Sequence, residues 1–134
     1  LPMPSSPEFI DHIRELLSLQ GRILARRMFG GHGIYCDGLF SGIVDDEVLY
    51  LKTDDASCAE FERAGGTAFT YARAGKTARL GFHTVPDEAM DSPALIAPWV
   101  RLAIQAALRA RTDKPARKIR TRPAVARRSP RGNS

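Results

Sequence analysis

The sequence predicts an α+β domain: one antiparallel sheet with helices packed on it, followed by a basic tail. Three observations predict this. The apolar period is helical near both ends of residues 1–111 and strand-like between them. The strand-like runs come in clusters joined by turn residues and do not alternate with helices, which argues against a parallel sheet. Charge changes sharply near residue 108. The expected order is α-βββ-α-ββ-α.

Ser6 is a candidate N-cap, Pro7 suits the first helical position, and Glu8 lies in the first turn. Phe9, Ile13, Leu16 and Leu17 follow on one face, and Gly21 closes the helix. From Ile23 to Lys52 the apolar residues fall in short runs punctuated by glycine. Asp37-Gly38 is a two-residue turn signal and Asp45-Asp46-Glu47 an acidic loop, which gives strands over 26–36, 39–45 and 48–52. Met28 and Phe29 cannot both face inward on a regular strand, so a bulge is expected beside the glycines.

Ser57 to Ala64 reads as a short helix with Cys58 and Phe61 inward, ended by Gly65-Gly66. Thr67–Ala72 and Thr77–His83 read as strands joined at Ala74-Gly75-Lys76. Phe69 and Tyr71 share one face of the first, Leu80 and Phe82 one face of the second. Val85 to Asp91 is a loop or a turn of helix. Ser92-Pro93 repeats the cap-and-proline start, and Leu95, Trp99, Leu102, Ala103 and Ala106 line one side of a last helix that fades near Arg111. Pro98 either kinks that helix or marks its true start.

Residues 1–108 hold 10 Lys+Arg against 14 Asp+Glu, a formal charge of −4, while residues 109–134 hold 10 against one, a charge of +9. The chain therefore divides into a folded domain over 1–111 and a basic, disordered tail over 112–134. Arg117, Lys118, Arg120, Arg122, Arg127, Arg128 and Arg131 are candidate nucleic-acid contacts, electrostatic and salt-sensitive. No aromatic residue accompanies them, so base stacking is excluded from that tail. Cys36 and Cys58 form no C-x-x-C pair and no signal peptide precedes the first helix, so reduced thiols and a cytoplasmic location are expected. No apolar run approaches a membrane span.

Motifs for chemistry are weak. Gly31-His32-Gly33 fails as a dinucleotide fingerprint, because Cys36 takes the third glycine's place and a strand follows instead of a helix. Gly75-Lys76-Thr77 imitates the end of a phosphate loop, yet Thr70 stands where its first glycine belongs. His12, His32, His83, Cys36 and Cys58 have no metal-ligand spacing. Ser41 has no nucleophile-elbow context, and Asp45, Asp46 and Glu47 read as a solvated turn. No catalytic residue, cofactor or metal is predicted. A small-ligand site or enzyme would need His32 beside Asp45 or Asp46 in a pocket.

The stretch "ARRMFGGHGIYCDGLFSGIVDDEVLYLKTD", with "FERAGGTAFTYARAGKTARLGFHTVPDEAMDSP" and "PWVRLAIQAAL" after it, resembles the TfoX N-terminal domain family over about residues 7 to 110. The resemblance implies a small α+β fold of the secretion-chaperone-like type and a non-enzymatic regulatory role linked to competence genes for DNA uptake. It implies a protein partner of the transcription-regulator kind, as longer members act with the cyclic-AMP receptor protein at promoters. Those longer members carry a helical C-terminal domain where this chain has its basic tail. The family pattern falls on Arg26, Arg27, Met28, Phe29, Gly30, Gly31 and Gly33, which are read as a strand whose glycines allow close backbone approach or a bulge, with a partner surface as the alternative. A nucleic-acid-binding accessory role through the tail is the alternative, and exposed sheet edges make a homodimer plausible.

Overall fold

A computed structural model of the chain describes residues 6–28, 31–73 and 76–113, with only the backbone described at 71–80 and 113. Phe29, Gly30, the 74–75 turn and the seven tail cations lie outside those residues. Helix α1 (Pro7–Leu16) starts where its cap predicts, with the Ser6 hydroxyl accepting from the Phe9 N–H at 3.1 Å. Ile10, Ile13, Leu16 and Leu17 are buried, and Phe9 only half-buried. A 3-10 turn over Ser18–Gln20 extends the helix toward Gly21.

The sheet has six strands: β1 (Ile23–Met28), β2 (Gly31–Cys36), β3 (Leu39–Asp45), β4 (Val48–Lys52), β5 (Ala68–Arg73) and β6 (Lys76–His83). Every pairing is antiparallel, in the order β1-β2-β3-β4-β6-β5. The expected single strand over 26–36 is a correction: it is a hairpin, and Met28 pairs with Gly31 across it. The physical reason is burial. Reversal sets Ile23 opposite Cys36 and Ala25 opposite Ile34, an apolar pairing on one face that one long strand forgoes. Among the described residues the register shifts at two other places: in β3, where Ser41 is the extra residue between Phe40 and Gly42, and in the β5–β6 pairing between Ala68 and Thr70. At the next turn Asp37 and Gly38 both have positive φ, as a two-residue hairpin requires.

Helix α2 (Cys58–Arg63) and helix α3 (Pro93–Asp113) complete the order. α3 starts at its Ser92 cap and runs through Pro98. Of the expected inner face, Ala103 and Ala106 are buried and Trp99 and Leu102 pack against the core, but Leu95 is half exposed, and Ile96 and Val100 are fully buried beside them. Alanines at 97, 103, 106 and 107 are buried, and small side chains let the helix lie close to the sheet, so size rather than apolarity selects this face. All three helices contribute to one core, closing over Ile34, Cys36, Val44, Leu49 and Leu51. The domain is thus two layers, with its helices on one face of the sheet.

The C-terminal half of α3 is clamped by a fork. Arg109 Nε donates to Asp54 Oδ2 at 2.7 Å and its Nη2 to Oδ1 at 2.9 Å. Those bonds hold the Asp54 carboxyl below the usual carboxylate range. A depressed pKa contributes stability that is present above the unfolded value, about 3.9, and is lost as pH falls through the lower folded value. Asp54→Asn is therefore expected to lower the urea midpoint at neutral pH and to flatten the acid limb of stability below about pH 4. The pair is partly exposed, so the effect is modest. An acid limb identical in the variant would remove Asp54 from this role.

Candidate functional site

The register assigns each strand residue to a face. Ile34, Cys36, Val44, Leu49 and Leu51 point at the helices, so their neighbours point away. One row across the open face runs Leu24, Tyr35, Phe40 and Phe82; the next runs Arg26, Gly33, Ile43 and Tyr50. The aromatic rings meet one another, Tyr35–Phe40 at 5.3 Å, Phe40–Phe82 at 5.6 Å and Tyr50–Phe69 at 4.9 Å between centroids. Lys52 lies over the Phe82 ring at 5.2 Å. None of these side chains belongs to the helix-covered core, and no described helix covers them. Leu24, on the edge strand β1, is 50 % exposed. Sequence periodicity marks such residues as apolar but not which layer they serve, and this layer becomes visible only once the register is known.

The signature residues separate across this geometry. Met28 and Arg26 belong to the open face, Arg27 to the helix face opposite His32. Both arginines are exposed, and neither forms an ion pair among the described residues. A Cβ at Gly33 would meet Met28 Cε at 2.6 Å and Phe40 Cε1 at 3.1 Å, so this glycine makes room for methionine on the open face. A Cβ at Gly31 would fall on the Val44 carbonyl oxygen. These glycines seat strands and side chains; they do not form a phosphate loop.

The acidic turn and His32 lie apart. Asp45 pairs with Val48 on the open face, while His32 faces α1, so the two do not share a pocket. Glu47 accepts the Ser6 N–H at 2.7 Å, and that bond lowers its pKa. Burial followed by the Asp46 carboxylate pushes Asp45 upward. Among the described residues no three His, Cys, Asp or Glu side chains are placed to hold a metal. Cys36 is buried, and burial raises its thiol pKa, which makes it an inert packing residue.

Sequence reasoning missed one polar chain. His83 is buried at the end of β6, with Nε2 2.8 Å from Glu62 Oε2 and Nδ1 2.7 Å from Thr53 Oγ1. A carboxylate only accepts, so Nε2 donates to Glu62; in the neutral ring Nδ1 then accepts the Thr53 hydroxyl proton. This carboxylate–imidazole–hydroxyl order is that of a nucleophilic triad. Thr53 is 3 % exposed and His83 likewise, so hydroxyl and imidazole are buried inside the fold. The chain ties α2 to β6 and to Thr53, the residue after β4. Residues at 53, 62 and 83 share no spacing that would have announced it.

Fold and surface together define a two-layer α+β domain whose sheet is covered by helices on one side and carries a self-packed aromatic layer on the other. The family model of the TfoX N-terminal domain matches residues 15–107, and the chain belongs to that family. No curated protein matches the chain. Among the described residues no helix is long and apolar enough to cross a membrane.

Proposed function

We propose that the chain is a non-enzymatic regulatory adaptor of the TfoX type, acting through protein contacts on a transcription regulator. The observation that supports this reading is the apolar face of the sheet that no described helix covers. A contiguous apolar layer rimmed by Arg26 and Lys52 is the kind of surface that contact modules present. Family membership supports the regulatory part of the reading, and competence genes are its expected targets.

The test is affinity capture from the native host with and without nuclease, comparing the parent chain with Leu24→Asp. Leu24 is half exposed, so this change leaves the core intact. The parent is expected to retain a DNA-binding regulator or transcription machinery, and the variant to lose it. Capture of metabolic enzymes alone, or equal capture by Leu24→Asp, counts against the open face as the contact. Retention that nuclease removes would move the contact to nucleic acid and to the basic tail.

A further inference from the structure

A second surface lies on the other side of β1. Between α1 and the β1–β2 hairpin a cleft of about 400 Å³ is lined by Pro7, Ile10 and Ala25, with Arg14, Arg27 and His32 as its cationic and polar groups. Asp11 is its one acid, and it pairs with Arg14 at 3.3 Å. The two arginines arrive from different elements, Arg14 from the last turn of α1 and Arg27 from the edge strand. Arg27 stands directly opposite His32 in the β1–β2 register.

His32 enters this cleft from β2. Its Nδ1 is buried and has no hydrogen-bond partner among the described residues. With Nδ1 closed off, Nε2 is the ring nitrogen available to a ligand in the cleft, and in the tautomer protonated there it donates. Burial, then Arg27, then Arg14, hold the His32 pKa below its ordinary value. The ring is thus neutral inside a positive field, with Val44 opposite it on β3.

We propose that this cleft binds a phosphate-type oxyanion, held by the guanidinium groups of Arg14 and Arg27 and by the Nε2–H of His32. Donors converging from three elements suit a tetrahedral anion with several oxygens, whereas a carboxylate is satisfied by one guanidinium fork. The site faces away from the aromatic layer and does not rest on the protein-contact reading. It also gives Arg27 and His32 a shared role that neither fold nor core demands of them.

The test uses the full chain labelled at histidine and follows its ring signals by NMR while inorganic phosphate is added. His32 is expected to shift saturably, with a midpoint near the millimolar range, and its titration midpoint to move upward as bound anion offsets the two arginines. The buried His83 serves as the internal reference and should not move. Arg27→Gln is expected to weaken the His32 response about tenfold, and Arg14→Gln to weaken it as well. Arg27 is exposed, so an unchanged urea midpoint shows that the variant is folded. Phosphate bound only by the basic tail would leave His32 still. A linear or absent His32 response, an equal response in Arg27→Gln, or saturation by acetate at the same concentrations would each overturn the proposal.

Discussion

Phe61→Ala is expected to cost about 3–5 kcal/mol, a large part of the stability of a domain this size. Phe61 is fully buried, and it is where α2 meets the rest of the molecule. Its ring meets the edge of Trp99 on α3 at 4.9 Å and lies 6.1 Å from His83 on β6. α2 is six residues long, too short to persist without tertiary contacts. Truncation therefore opens a cavity and also releases the helix that carries Glu62, the acceptor for buried His83. Trp99 is the chain's single tryptophan, so its fluorescence during urea unfolding reads this contact directly. The midpoint should fall while the slope stays constant. Phe61→Leu keeps most of the volume and should cost less than half as much. A midpoint unmoved by Phe61→Ala would mean that α2 is not anchored through this ring.

Much of this architecture is legible from local chemistry, because helix starts and hairpin turns are written in single residues. Ser6-Pro7 and Ser92-Pro93 place α1 and α3, and Asp37-Gly38 places a turn that only residues tolerant of positive φ adopt cheaply. The limits are equally physical. Residues 26 to 36 read as one strand because a hairpin and a bulged strand have the same apolar alternation; only the long-range pairing of Ile23 with Cys36 separates them. On α3 the expected face is right at Ala103 and Ala106 and wrong at Leu95, because the apolar run Leu95-Ile96 does not itself say which of its two residues faces the sheet. The candidate surfaces were less legible still. Arg26 and Arg27 are adjacent in sequence but serve opposite faces, and the residues of the His83 chain come from α2, β6 and the segment after β4.

Gly31→Ala is the sharpest test of what the glycine-rich signature does. If those glycines served a ligand loop, alanine would impair binding and leave stability nearly unchanged. The structure predicts the reverse. At Gly31 the added Cβ would fall on the Val44 carbonyl oxygen, a backbone atom of the neighbouring strand. Backbone cannot rotate away as a side chain can, so β2 must separate from β3 where the β1–β2 hairpin begins. Overpacking of this kind costs about 1–3 kcal/mol and more where no rotamer relieves it, so the upper end or beyond is expected. Gly33→Ala supplies the contrast. Its Cβ would meet the tip of Met28, which can swing aside over the open face, so the cost should be clearly smaller. Urea midpoints for the two variants, with amide exchange along β2 and β3, decide between these accounts. If Gly31→Ala is as stable as the parent, the close approach of the strands is not what glycine is for at this position. If it is the more damaging of the two and exchange quickens first at Val44, the signature encodes strand packing, and both the aromatic face and the arginine cleft depend on that packing for their shape.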